Sequence, residues 1–248
     1  MPEIQSVPVD VVDSHIHSRQ KPTGIKTYEF DATHVFADLE NSGVMMAHEM
    51  PNTTPPLTTY VEIKSRIEEL KHISNYGGLY FCYNGKNLEE LKSCLADPEI
   101  KKYIVWVKIY PATHAAGSVT TSGWAAQDMY DFSLEEDSEF DQIGKFCSEQ
   151  NLSITIHCED PVEKWKIEKY GTVDDDTEPS FVWKTVIPLC EKYPELKFIV
   201  AHVSHKLTVE RLKEAWEAGM KNIFVEITPH HLLLTTTEIQ EMLGKDAI

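Results

Sequence analysis

Residues 11–19 of this 248-residue chain read VVDSHIHSR, and the interpretation of the whole sequence starts from them. An apolar run at 7–12 predicts a β-strand that ends just before a His-x-His sequence. Because side chains along a strand alternate between its two faces, His15 and His17 are expected to point the same way. Two imidazoles at one strand end form half of a metal site, and two solvated histidines are the simpler alternative.

The rest of the chain alternates predicted strands with predicted helices. Further strands are predicted at 44–48, 79–83, 104–109, 152–157, 196–202 and 223–228, and helices at 31–41, 58–73, 88–95, 140–150, 180–193, 207–218 and 235–243. The helix at 58–73 is strongly amphipathic, with Arg66 and Glu69 among the residues of its predicted polar face.

Seven strand–helix units with near-continuous apolar strands predict a parallel sheet covered by helices. The length suits one (β/α)8, TIM-type barrel, and a doubly wound open sheet is the alternative. We therefore expect a single domain over residues 1–248. The pattern holds only seven strands, so the eighth strand is expected after Ile248 and the barrel of this chain is expected to be incomplete.

Composition narrows the class of protein. The formal net charge is −17, which argues against nucleic acid or an anionic membrane as a partner. The sequence shows neither a membrane-spanning run nor a signal segment. The five cysteines are an odd number without CxxC spacing, which predicts free thiols in a reducing cytoplasm.

Ligand-type residues recur at the predicted strand ends, where barrel enzymes carry their active sites. His157 and His202 end the fifth and sixth predicted strands, and Lys108 lies at the end of the apolar fourth strand. Four strands with such groups at the same mouth favour a metal site over four unrelated rim residues. Lys108 alone could snorkel to solvent, whereas a neutral lysine amine could react with carbon dioxide to give a metal-bridging carbamate.

An ordered set of motifs carries a family resemblance. The chain resembles the amidohydrolase superfamily and, within it, the dihydroorotases of the short bacterial type. The matching segments are HIHSR at 15–19, MPNTTPP at 50–56, KIYPA at 108–112, TTS at 120–122, IHCE at 156–159, AHVS at 201–204 and ITPHHL at 227–232.

The resemblance implies a binuclear metal site, usually with two Zn²⁺ ions. His15 and His17 would hold one ion, carbamylated Lys108 would bridge, and His157 and His202 would hold the second. The implied reaction is the reversible cyclisation of N-carbamoyl-L-aspartate to L-dihydroorotate in pyrimidine synthesis.

The resemblance also implies the residues that bind substrate. Arg19 and Asn52 would bind its carboxylate, for which the planar guanidinium of Arg19 is suited. Thr120 and Thr121 would cap the substrate from a loop, and Leu232 would contribute backbone contacts. The family's general acid–base aspartate is expected after Ile248, so no catalytic residue is assigned here and residues 1–248 alone are expected to be nearly inactive.

Two alternatives stay open at the level of sequence. The chain could be another cyclic amidohydrolase, such as an allantoinase or hydantoinase, although Arg19 and Asn52 suit a substrate with a free carboxylate. It could also be a non-catalytic barrel relative that acts as a binding partner. An open seam beside the first and seventh strands would expose backbone edges, so a homodimer is possible.

Overall fold

Strands and helices alternate along the chain in this computed structural model, which describes residues 10–18, 32–53, 56–111, 134–160, 177–228, 233–235 and 237–238. The elements, in order, are β1 (Val11–Ile16), α1 (Ala32–Asn41), β2 (Val44–Glu49), α2 (Tyr60–Leu70), β3 (Tyr76–Tyr83), α3 (Leu88–Ala96), α4 (Pro98–Lys101), β4 (Ile104–Ile109), α5 (Glu139–Gln150), β5 (Ile154–Ile156), α6 (Thr177–Phe181), a π-helical turn (Val182–Val186), α7 (Ile187–Lys192), β6 (Phe198–Val200), α8 (Lys206–Glu217) and β7 (Ile223–Val225).

The strands keep their chain order in the sheet, from β1 to β7. The pairs β1–β2, β2–β3, β5–β6 and β6–β7 are parallel. A doubly wound sheet would reverse its strand order at a switch point, so this order excludes that alternative. Consecutive parallel strands with helices between them confirm the predicted (β/α)-barrel class, and the described residues contain seven of its strands.

The described residues fall into two compact units, one up to Lys108 and the other from Ile109 onward. In the first unit, a buried cluster joins β1, α1, β2, α2 and β3; its members are Ile16, Ala32, Phe36, Ala47, Leu70 and Tyr76. In the second unit, the alternate residues Ile154 and Ile156 of β5, and Phe198 and Val200 of β6, are fully buried. Burial of these apolar side chains supplies the main driving force for folding.

Several predicted strand boundaries are wrong at the carboxyl end; β7, for example, ends at Val225 and not at 228. Strand β1 continues through Ile16, because Asp13 pairs with Ala47 and Ile16 pairs with Glu49 despite the polar residues between them. Conversely, β5 and β6 end before their histidines. His157 follows β5 directly, and His202 lies two residues beyond β6. Backbone pairing rather than side-chain polarity therefore sets where each strand stops.

The helix predicted at 58–73 is shorter, because a capping box fixes its start. The Thr59 hydroxyl accepts from the Glu62 N–H, and the Glu62 carboxylate accepts from the Thr59 N–H, so helix α2 begins at Tyr60. The prediction that Arg66 lies on the polar surface of this helix is wrong, since Arg66 is only 6% exposed.

Arg66 is buried because it belongs to a polar network with Glu49 and Ser18, both fully buried. Its Nη2 donates to Glu49 Oε1 at 2.5 Å and to the backbone oxygen of Ser18 at 2.8 Å. The Ser18 hydroxyl donates to the same carboxylate. Burial acts to lower the pKa of Arg66, but the hydrogen bonds and negative charge of Glu49 hold it above its usual value. The network ties β2 and α2 to the residue that follows His17.

Two further features concern the rest of the described chain. All five cysteines are free and buried. Burial raises the pKa of the Cys94 thiol to about 12, so it is protonated at neutral pH.

Within the parts of the chain that the structure describes, none of the helices has the length and apolar character needed to cross a membrane.

Arg66→Met should lower the free energy of unfolding by about 3–5 kcal/mol, because it leaves the Glu49 carboxylate buried without its main cation. Denaturant-induced unfolding measures the change. Glu69→Gln is the matched control, since Glu69 contacts Arg66 Nη1 at 2.9 Å from a partly exposed position and its loss should cost less than about 1 kcal/mol.

A double variant separates pairing from packing. Glu49→Leu combined with Arg66→Met removes both charges and should recover much of the stability lost by Arg66→Met alone. Equal losses for Arg66→Met and Glu69→Gln would show that the buried pair does not stabilise the fold.

Candidate functional site

His15 and His17 face each other at the carboxyl end of β1. Their Nε2 atoms are 3.1 Å apart, and the ring planes meet at 61°. Both rings thus point the same way, as the period-two alternation of the strand predicts. Ile16, between them, points the other way into the buried cluster.

Asn52 fixes the ring of His17. The Asn52 side chain is nearly fully buried, and its Oδ1 lies 2.6 Å from His17 Nδ1. A carbonyl oxygen can only accept, so His17 Nδ1 carries the hydrogen and Nε2, which faces His15, keeps its lone pair. An acceptor on the far side of a histidine ring is the usual companion of a metal-ligating imidazole.

Lys108, in β4 of the same unit, is fully buried. This excludes the snorkelling alternative in which its ammonium reaches solvent. Burial raises the pKa of the nearby Cys82 thiol to about 12, against an opposing effect of the Lys108 charge. A buried ammonium is costly unless it is paired, and the neutral amine is the form that reacts with carbon dioxide.

His157 and His202 form the corresponding pair in the second unit. His157 Nδ1 lies 2.8 Å from His202 Nε2, with the rings at 63°. Glu159 Oε2 lies 3.6 Å from the other ring nitrogen of His157. The Tyr110 ring stands 5.8 Å from the His157 ring. At 3.6 Å the Glu159 carboxylate lies beyond hydrogen-bond distance, so only the ring geometry shows that Nδ1 is the nitrogen that faces His202.

Both histidine pairs fit two ligands of one metal ion. Nitrogens bound tetrahedrally to zinc at about 2.0–2.1 Å would lie about 3.3 Å apart, close to the 3.1 Å and 2.8 Å observed. However, no three His, Cys, Asp or Glu side chains converge within the described ranges.

The structure places only part of the predicted site. His15, His17 and Asn52 come together in the first unit, where Lys108 also lies, and His157 and His202 come together in the second. The other predicted substrate-binding residues lie outside the described residues; they are Arg19, Thr120, Thr121 and Leu232.

Sequence reasoning assigned no role to two groups beside the site. One is Glu159, two residues after His157 in the motif IHCE. The other is the Ser18–Glu49–Arg66 network. A carboxylate at the end of the otherwise apolar β2 was a usable signal for the network, because a buried carboxylate requires a partner.

Comparisons with known proteins agree on one group of enzymes. No protein-family model matches the chain. The chain is 27% identical to the dihydroorotase of Saccharomyces cerevisiae over 237 residues, which cover 90% of this chain and 57% of that protein.

Two solved structures share the fold. A crystal structure of the Saccharomyces cerevisiae dihydroorotase in complex with 5-fluoroorotic acid has a TM-score of 0.68 and 22% identity, covering 96% of this chain and 60% of that one. The L-hydantoinase (dihydropyrimidinase) of Arthrobacter aurescens has a TM-score of 0.66 and 22% identity, covering 94% and 50%. The chain thus spans little more than half the length of these proteins. Its fold is that of these dihydroorotase and hydantoinase structures, and its sequence is similar to dihydroorotases.

Proposed function

We propose that the protein containing this chain is a cyclic amidohydrolase, and specifically a dihydroorotase. It would catalyse the reversible cyclisation of N-carbamoyl-L-aspartate to L-dihydroorotate, a step of pyrimidine synthesis. The observation that carries the proposal is the pairing of four histidines at the ends of β1, β5 and β6 in a chain similar to dihydroorotases.

The proposed cofactor is a pair of zinc ions. His15 and His17 would hold one ion, and His157 and His202 would hold the other. When bound, zinc lowers the pKa of a coordinated water and polarises a carbonyl oxygen. Asn52 would keep the lone pair of His17 Nε2 available.

Lys108 would serve as a carbamate. The neutral amine nitrogen attacks the carbon of CO₂, so that one N–C bond forms while one C–O π bond breaks and its electron pair moves to oxygen; one proton then leaves the nitrogen to solvent, which gives an anion with two oxygens. Complete burial of Lys108 supports this role, because the side chain is held at the strand end away from competing solvent. The carbamate would supply oxygen ligands that the described histidine pairs lack.

The substrate assignment rests on a free carboxylate. Arg19 would bind it through a bidentate fork, with Asn52 beside it. Thr120 and Thr121 would cap the substrate, and Leu232 would contact it through its backbone. The related yeast enzyme binds 5-fluoroorotic acid, a ligand that is itself an acid, which supports this class of substrate. The general acid–base aspartate remains a prediction for a position after Ile248.

The hydantoinase alternative shares the fold, since the TM-scores of the two solved neighbours are 0.68 and 0.66. Sequence similarity to dihydroorotases favours the first proposal. A non-catalytic barrel relative would not need a fully buried lysine in the same unit as paired histidines, which disfavours the second alternative.

The compartment and partners proposed for this enzyme follow from its composition. Five free buried thiols support a reducing cytoplasm. The net charge of −17 supports a small-molecule substrate rather than nucleic acid or a membrane as the partner. A homodimer remains a prediction.

Metal analysis tests the proposed centre. After incubation with zinc and bicarbonate and removal of free metal, the chain should retain up to two zinc ions, and Lys108→Ala should lose most of this zinc. Lys102→Ala is the matched control, because Lys102 is an exposed lysine just before β4, and it should retain the wild-type amount. Full zinc retention by Lys108→Ala would contradict the carbamate role.

Substrate discrimination tests the assignment to dihydroorotase. In the complete gene product, Arg19→Lys should lower kcat/KM for dihydroorotate by roughly 10–100-fold, because a point charge replaces a charge-assisted bidentate contact. Turnover of an uncharged hydantoin should change little. A wild-type enzyme that hydrolyses hydantoin faster than dihydroorotate would instead support the hydantoinase alternative.

A further inference from the structure

His202 has an unusual backbone conformation for a residue with a side chain. Its φ is +40°, in the left-handed region, although it carries a bulky imidazole. Such a conformation persists only where surrounding contacts hold it. The position of the His202 ring beside His157 therefore depends on what fixes the turn at 201–205.

The two residues flanking His202 continue the sheet. The Ala201 N–H donates to Ile156 O at 3.0 Å, and the Val203 N–H donates to Glu226 O at 2.8 Å. These bonds hold the backbone immediately before and after the histidine. The backbone N–H groups of the residues that follow need a different acceptor.

Glu178 supplies that acceptor. Its Oε2 accepts from the Ser204 N–H at 3.1 Å and from the Ser204 hydroxyl at 2.9 Å, and its Oε1 accepts from the His205 N–H at 3.1 Å. One carboxylate thus receives three hydrogen bonds from the two residues that begin two positions after His202. Such charge-assisted bonds are stronger than neutral ones.

The same short helix fastens the segment that follows His157. Glu178 is the second residue of α6, whose first residue accepts through its backbone oxygen from the Asp160 N–H at 3.0 Å. The Ser180 hydroxyl donates to Asp160 Oδ2 at 2.7 Å. The segments after both histidines of the pair are therefore attached to one helical turn.

We propose that Glu178 is a positioning residue for the metal centre of the second unit, which it supports by holding the turn that presents His202 to His157. The proposal rests on the proposed function for the identity of the bound ion. Through these bonds Glu178 acts on the backbone of Ser204 and His205.

A purely structural role is the competing explanation. His205 caps α8, because its Nδ1 accepts from the Leu207 N–H at 3.1 Å. Glu178 could therefore serve only to start that helix. In that case its loss would lower thermal stability and leave the zinc affinity of the folded protein unchanged.

Competition with a chromogenic chelator measures zinc affinity in the full chain. Glu178→Ala should weaken binding of the ion that His202→Ala removes by about 10–100-fold, as is typical when the outer support of a ligand is lost. Glu178→Asp, which keeps two acceptor oxygens, should recover part of the affinity. Ser204→Ala removes one donor of three and should have a smaller effect.

The matched control is Glu191→Gln, which removes the same charge from an exposed position of α7. An equal loss of zinc affinity in Glu191→Gln and Glu178→Ala would overturn positioning in favour of a general charge effect. Unchanged zinc affinity in folded Glu178→Ala would also overturn it. If Glu178→Ala does not fold, unchanged affinity in both Glu178→Asp and Ser204→Ala would decide against the proposal.

Hydrogen exchange in the metal-free chain separates this proposal from the proposed function. The amides of Ser204 and His205 should exchange at least about 10-fold faster in Glu178→Ala than in wild type, because their acceptor is gone. Absence of zinc binding by wild type would overturn the metal function. Unchanged exchange at these two amides would overturn the positioning role, whatever the zinc result.

Discussion

Parallel pairing of neighbouring strands is the constraint on which the site depends. In a parallel pair the carboxyl ends lie at the same edge, so residues just beyond those ends are brought together whatever their distance in sequence. In the first unit, the pairing of Ile16 with Glu49 brings His17 beside Asn52. In the second, the pairing of Ile156 with Val200 brings His157 beside His202. Each histidine pair is thus a consequence of register.

A charged side chain that is buried near these strand ends needs a partner that offsets the cost of removing it from water. Removing a carboxylate from water costs free energy that only a well-placed partner offsets. Glu49 meets this requirement with Arg66 and the Ser18 hydroxyl, and the same guanidinium holds the backbone oxygen of Ser18. The buried ion pair therefore also fixes the position of Ser18, the residue next to His17.

The sequence predicts the features that depend on local pattern. Apolar periodicity locates the strands and helices, and period two places His15 and His17 on one face. The same reasoning puts Arg66 on the surface, because periodicity cannot show that a charged residue has a buried partner 17 positions earlier. Likewise, the ends of β5 and β6 depend on cross-strand hydrogen bonds and not on the apolar run.

Contacts between residues far apart in the sequence could not be predicted either, because local periodicity does not show which distant segments lie together. Glu178 and Ser204 are 26 positions apart, and neither residue type predicts a contact with the other. The roles given to Arg19, Thr120, Thr121 and Leu232 came from family resemblance and stay predictions, since these residues lie outside the described ranges.

The two histidine pairs differ in which ring nitrogen faces the partner ring. In His17, the acceptor Asn52 takes the hydrogen on Nδ1, so the Nε2 lone pair faces the partner ring. In His157, Nδ1 faces the partner ring, and the Glu159 carboxylate lies 3.6 Å from Nε2 on the other side. In both pairs an oxygen lies on the far side of the ring, and in His17, where Asn52 accepts a hydrogen bond, it decides which nitrogen keeps its lone pair. The backbone can therefore present either edge of the imidazole, provided that a neighbouring segment places an oxygen on the opposite side.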